Sequence, residues 1–323
     1  MAINEAEKKP QQTWDQIVPK QYHQFKKAFS EEESKQLPKS KPWDHAIDLI
    51  HDVPTSFDCK IYPLSPKEQE SLKEFLKEHQ EKKYIKPSKS PYASPFFFVK
   101  KKDRKLWPVQ DYRQLNKWTI PNNYPLPLIR DIIPHLTGKR YLTSVDVCQG
   151  YNNILIQPED QHKAAFKTNK GFFQPKVMYF GMWNTPATFQ SMMDTIFRDQ
   201  LEKGNIFIYI DDILIAMDGI WEDHYKEVEQ VLQTLQENDL YLKPDKCKFH
   251  RTEIEFLGMV VGGGQVKMDP VKVEGIANWP TPTLVKELRA FLSFGNFYKD
   301  FIDHYSLIAP PLHDLTKKSR MWE

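Results

Sequence analysis

The chain has 323 residues, of which 40% are hydrophobic, 27% charged and 13% aromatic, the composition of an ordinary soluble globular protein. A formal net charge of only +2 announces no polyanion partner, and neither a membrane-length apolar run nor a signal-peptide pattern occurs. Cys59, Cys148 and Cys247 are scattered and form no CxxC pair, which argues for a reducing compartment and against structural zinc.

Residues 1–60 are polar, with five prolines and an acidic triplet at Glu31 to Glu33. They read as a loosely attached lead-in with one short helix around Tyr22 to Phe29. A helix then starts at Ser65. Ser65 caps it, Pro66 suits the first turn, Glu68 completes a capping box, and Leu72, Phe75 and Leu76 form the apolar stripe.

From Lys82 to Lys117 eleven Lys and Arg residues oppose only Asp103 and Asp111. Two strand-like runs, Phe96 to Val99 and Leu106 to Val109, lie among them, so the region reads as a basic hairpin. It is either a solvated lysine-rich edge or a surface that grips phosphates. Pro121, Pro125 and Pro127 make an extended connector, and Leu128 to Leu136 suits a short helix. Arg140 to Val147 reads as a strand that delivers Asp146 at its end, and Asn152 to Gln157 as another strand. Asn184-Thr185-Pro186 opens a helix with the stripe Phe189, Met192, Met193, Ile196, Phe197 and Leu201, whose methionines suit a core.

Residues 206–217, IFIYIDDILIAM, are two apolar runs broken by Asp211 and Asp212. The spacing predicts a tight hairpin, yet such turns favour Asn-Gly or Asp-Gly rather than two like charges. Either the turn is simply exposed, or it is a platform of carboxylate oxygens for a hard cation. Past it, Glu222 to Asn238 has helical spacing, Ile254 to Val261 reads as one strand, and Gly262 to Gly264 as a flexible end. Asp269-Pro270 and Thr283 each open a helix of an all-helical C-terminal part.

The order of elements suggests an α+β fold with one sheet face covered by helices. If the strand of Asp146 lies beside the hairpin, three carboxylates converge. An oxygen-only set without His or Cys suits Mg²⁺ or Mn²⁺ and in-line displacement at phosphorus.

The YIDD stretch (209–212) between apolar runs is similar to the YxDD box of reverse transcriptases. The chain resembles the reverse transcriptase segment of gypsy-type LTR-retrotransposon polyproteins. The resemblance rests on SPYASPFFFVKKKD (90–103), DYRQLN (111–116), NNYPLPLI (122–129), SVDVCQGYNNI (144–154), PATFQ (186–190), FLGMVV (256–261) and VKELRAFLSFGNFY (285–298), all in the family's order. It implies a right-hand polymerase with an antiparallel palm sheet backed by helices and a mainly helical thumb. The lead-in would occupy 1–60, fingers 61–120 and 154–184, palm 121–153 and 185–264, and thumb 265–323. The implied reaction is addition of dNTPs to a primer 3′-OH on an RNA or DNA template.

By the same resemblance Asp146, Asp211 and Asp212 would bind two Mg²⁺ ions, with Mn²⁺ as a substitute. Lys101, Arg113, Tyr151, Phe180 and Gln190 would surround the nucleotide and template, Tyr151 excluding a 2′-hydroxyl. Phe256, Leu257 and Gly258 would form the primer-grip strand, and Lys246 would protonate the leaving pyrophosphate. Implied partners are an RNA/DNA template-primer, dNTPs, and RNase H and integrase domains of a parent polyprotein. The implied setting is the cytoplasm, a virus-like particle or the nucleus. Three positions depart from the family: Trp107 stands for an arginine expected at the triphosphate, Arg104 for a glycine, and Tyr179 for a proline. They leave open a truncated or degenerate copy that binds nucleic acid without polymerising. A metal-dependent phosphotransferase with another substrate is a third reading.

Overall fold

The computed structural model describes residues 13–57, 59–100, 105–317 and 320. Lys101 and Arg104 lie outside that set. The strands are β1 (Ile85–Pro87), β2 (Ser94–Lys100), β3 (Leu106–Gln110), β4 (Tyr141–Asp146), β5 (Phe166–Thr168) and β6 (Gly171–Pro175). They continue with β7 (Ile206–Tyr209), β8 (Asp212–Met217), β9 (Lys248–Arg251), β10 (Glu253–Phe256), β11 (Met259–Gly262) and β12 (Gln265–Met268). Three sheets result, with orders β1-β6-β5-β2-β3, β7-β8-β4-β9 and β10-β11-β12.

The α-helices are α1 (Trp14–Ile17), α2 (Pro66–Glu81), α3 (Arg113–Trp118), α4 (Ile129–Leu136) and α5 (Thr185–Ile196). After these come α6 (Arg198–Glu202), α7 (Trp221–Glu237), α8 (Pro270–Ala277), α9 (Val285–Phe297) and α10 (Tyr305–Asp314). The capping box expected at Ser65 is present, with Leu72, Phe75 and Leu76 on the buried face of α2. Asp269 caps α8 by accepting from the Val271 N–H.

The four-stranded sheet is antiparallel throughout and is buried on both faces. Val145, Ile206, Ile208, Ile213 and Ile215 point into the main core with Phe189, Met192 and Met193 of α5 and Val228, Val231 and Leu235 of α7. Leu142, Phe207, Leu214 and Ala216 point the other way, onto Ile254, Phe256 and Val261 of the small sheet. Burial on both sides is why the hairpin reads as unbroken apolar runs instead of an alternating pattern.

Four expectations are corrected. The N-terminal segment is not loosely attached: Tyr22, Phe25, Ala28 and Phe29, on a 3₁₀ segment over Lys20–Phe29 that kinks at Phe25, are buried in the main core. Spacing of three and four residues gathers them on one side of an otherwise polar helix. Residues 253–268 form a three-stranded meander instead of one strand with a flexible end. Its turns are Leu257-Gly258 and Gly263-Gly264, each with positive φ at both positions, the geometry of two-residue hairpins. Residues 152–157 form no strand. A 3₁₀ turn over Gly150–Asn153 leads to isolated bridges from Leu155 to Val177 and from Ile156 to His45. The helix opened by Thr185 ends at Ile196, and Leu201 belongs to the separate α6.

Candidate active site

Asp146 is the last residue of β4 and Asp212 the first of β8, and they are register partners across the two strands. Alternation along each strand places both on the sheet face that carries the meander, in line with Leu142 and Leu214. Tyr209 pairs with Asp212, so the turn residues are Ile210 and Asp211, and the break falls one residue earlier than the Asp-Asp pair suggested. The Asp211 carbonyl accepts from the Val147 N–H at 3.1 Å, which ties the turn to the end of β4. Gly150 makes room beneath it: a Cβ there would lie 3.4 Å from the Asp211 Cβ and 3.6 Å from the Phe189 ring.

Ile210 has a φ of +56°. This position favours glycine, and a β-branched residue occupies it only when its surroundings compel it. The support is Gln190, fully buried beneath the turn. Its Oε1 accepts from the Ile210 N–H at 2.8 Å, and its Nε2 donates to Asp194 Oδ1 at 2.8 Å and to the Ile208 carbonyl at 3.4 Å. Gln190 is therefore not on the open surface of the site. Its hydrogen bonds hold the turn that presents Asp211.

Both oxygens of Asp146 meet lysines: Lys243 Nζ at 3.1 Å from Oδ1 and Lys246 Nζ at 3.3 Å from Oδ2. The Asp212 carboxyl is pushed up to about 6, by desolvation first and by the charges of Asp211 and Asp146 next, with Lys246 and Lys243 opposing. Three carboxylates thus share this corner with two ammonium groups. Such an oxygen-only set fits a divalent cation. Among the described residues no three Asp, Glu, His or Cys side chains are already drawn together as a metal ligand set. Asp146 is engaged with ammonium groups instead.

An aromatic row flanks the acids. Tyr151, 9% exposed, packs against Phe180 at 4.7 Å and Phe189 at 5.7 Å between ring centroids. Burial raises its hydroxyl to about 12, helped by the charges of Asp211 and Tyr209. Phe180 is 58% exposed, and Trp107, 41% exposed on β3, meets it edge to face at 6.3 Å. Tyr179 is buried; its hydroxyl and His79 Nδ1 of α2 share a hydrogen bond of 2.5 Å, which fixes the residue before Phe180 to that helix. Arg113 is exposed, and its guanidinium grips Asp111 through Nε at 2.8 Å and Nη2 at 2.6 Å.

Phe256 is buried at the end of β10, whereas Leu257 and Gly258 form the turn into β11. The three residues are a hairpin tip, not a strand. Tyr298, just past α9, rests on it: its hydroxyl donates to the Gly258 carbonyl at 3.4 Å, and a Cβ on Gly258 would come within 3.1 Å of the hydroxyl oxygen. Reasoning from sequence missed Lys243 and the supporting role of Gln190. A lysine in a polar loop carries no pattern, and a glutamine inside an apolar helical stripe was the one available signal for the second.

An antiparallel sheet backed by helices, with acids at the ends of adjacent strands, is the architecture of a polymerase palm. Structural likeness agrees. The foamy viral protease-reverse transcriptase in complex with RNA/DNA hybrid superposes with a TM-score of 0.79 at 22% identity, covering 94% of this chain and 40% of that one. The same protein in complex with dsDNA gives 0.80 at 23% identity, covering 93% and 61%. The family profile for reverse transcriptase (RNA-dependent DNA polymerase) matches residues 99–261. The chain belongs to the reverse transcriptase family. It is 36% identical over 279 residues to the retrovirus-related Pol polyprotein from transposon 297 of Drosophila melanogaster, covering 85% of this chain and 26% of the relative. It is 32% identical over 307 residues to the transposon Tf2-3 polyprotein of Schizosaccharomyces pombe, covering 95% and 23%. These relatives are gypsy-type LTR-retrotransposon polyproteins, as the YIDD box and its companions implied. The chain spans about a quarter of their length. Among the described residues no helix is long and apolar enough to cross a membrane.

Proposed function

We propose that this chain is an RNA-directed DNA polymerase that extends a primer 3′-OH with dNTPs on an RNA or DNA template. The observation that carries this is Asp146 facing Asp212 in register, with Asp211 on the adjoining turn. These three residues would hold two divalent ions, Mg²⁺ or Mn²⁺, which supply Lewis-acid stabilisation of the charge on the transferring phosphate. Lys246, already beside Asp146, is suited to pass a proton to the departing pyrophosphate. Tyr151 forms the floor under the sugar, and its wedging between Phe180 and Phe189 keeps it from yielding to a 2′-hydroxyl. Phe180 flanks the nucleotide, while Lys101 and Arg113 contribute positive charge from the fingers, Arg113 from its seat on Asp111.

The hairpin tip at Phe256, Leu257 and Gly258 holds the primer end. Gln190 acts one layer down, through the turn. Fingers at 61–120 and 154–184, palm at 121–153 and 185–264, and thumb from 265 describe the division of labour, with β12 the strand that joins palm to thumb. An RNA/DNA hybrid as template-primer is supported by the hybrid complex of the foamy viral relative.

The test is dNTP incorporation on poly(rA) primed with oligo(dT), in Mg²⁺ and in Mn²⁺, beside an Asp211→Asn control. Incorporation that the control abolishes is expected; incorporation that survives it would overturn the assignment. Retained hybrid binding without incorporation would favour the degenerate copy, and Trp107→Arg would then be the substitution to test for rescue.

A further inference from the structure

The two lysines on Asp146 are not equivalent. Lys246 is exposed, whereas Lys243 is partly buried and delivered by a fixed backbone. The Lys243 N–H donates to the Asp146 carbonyl at 3.1 Å, so main chain and side chain of the same residue both engage Asp146. The preceding Leu242 bridges Val147 and donates to the Ala28 carbonyl at 2.7 Å, anchoring the segment from its other side. Lys243 therefore cannot withdraw as a loop; only its ammonium can swing away. It has space to do so, because it lines an open cleft of about 1060 Å³ together with Cys148, Gln149 and Lys35.

A carboxylate oxygen that accepts from an ammonium has less capacity left for a metal, and the ammonium repels an incoming cation. We propose that Lys243 is the resident counter-ion of this centre. It occupies Asp146 in the metal-free protein and must release it before a divalent ion can use that carboxylate, so its side chain sets the metal affinity of the site. The inference rests on the reading of the three aspartates as the metal site.

The test is Mn²⁺ binding followed by electron paramagnetic resonance, without nucleotide or primer, on the full chain. Lys243→Met is expected to bind Mn²⁺ about tenfold more tightly than wild type, since a repelling charge and a competing donor are both gone. Lys243→Arg, which keeps both, should bind no more tightly than wild type. Lys248→Met removes the same charge from β9, where Lys248 faces Glu255 at 3.8 Å, and should change affinity less than about twofold. Misfolding would weaken binding, so tighter binding cannot come from a damaged protein. Equal gains in Lys243→Met and Lys248→Met would reduce the effect to net charge and overturn the inference, as would unchanged affinity in Lys243→Met. If wild type and Asp211→Asn bind Mn²⁺ alike, the site reading itself falls and takes this one with it.

Discussion

Replacing Gln190 with leucine tests how the candidate site is held. The substitution conserves approximate volume but removes the acceptor for the Ile210 N–H and the donor to Asp194. Asp194 keeps the Tyr124 hydroxyl at 2.7 Å, so its loss is partial. The Ile210 N–H has no comparable reserve, and leaving this half-buried amide unpaired costs about 1–3 kcal/mol. A left-handed isoleucine stores about 1–3 kcal/mol, and without Gln190 the turn is free to release part of it by moving Asp211, which offsets some of that cost. We therefore expect about 2 kcal/mol lost in urea unfolding followed by circular dichroism. Primer extension should fall more than tenfold, because a displacement near 1 Å at a reacting centre costs about two orders of magnitude. Ile210→Gly removes the strain, since glycine adopts positive φ without a Cβ penalty. In that background no strain is left to release, so Gln190→Leu should cost about 1 kcal/mol more than in wild type, a coupling measurable by a double-mutant cycle. Gln190→Leu within about 0.5 kcal/mol of wild type and with unchanged extension would refute the reasoning, since that is the scatter of an indifferent substitution.

Other outcomes follow from the buried groups. Burial depresses His45 and His224 to about 4 in the fold, below about 6.5 in the unfolded chain. The unfolded state then binds more protons, so their contribution is complete above that value and is lost as pH falls towards 4. Stability should drop by about 2 kcal/mol per histidine between pH 7 and pH 5; a denaturant midpoint that stays constant over this interval would contradict the burial. Phe25→Ala should destabilise the whole protein by about 3 kcal/mol, and a cost under 1 kcal/mol would mean the N-terminal segment is not part of the core. Tyr151→Val should narrow the preference for dNTPs over rNTPs in primer extension, with an unchanged preference ruling out Tyr151 as the floor of the sugar pocket.

The three aspartates were legible because their signal is local: apolar runs fix the strands, and the strand ends fix the acids. The turn itself was not. Ile210 occupies a position that turn chemistry assigns to glycine, and the glutamine that compels it lies twenty residues upstream on another element. The meander was hidden because Leu257-Gly258 interrupts an apolar run without a polar residue. The N-terminal segment was misread for the opposite reason. Prolines and charges dominate its composition, while the four side chains that matter are spaced for a 3₁₀ helix and find their partners only in the folded chain. Tyr179 shows the same limit: its value depends on His79, one hundred residues away.

The position of the N-terminal segment also dictates an order of assembly. Tyr22 packs against Phe249 and meets His250 through its hydroxyl at 2.9 Å, a separation of 228 residues along the chain. Phe29 packs on Phe249, and the Ala28 carbonyl receives the Leu242 N–H. During synthesis, then, this segment leaves the ribosome well before the strand that covers it, and it is among the last parts of the fold to find its place. At about 5–20 residues per second, its aromatic side chains wait on the order of ten seconds or more for the strand that covers them. Contacts of such long range are slow to close, and the interval exposes apolar surface to aggregation and to chaperones. The N-terminal segment thus serves as the clasp that closes on a sheet already built.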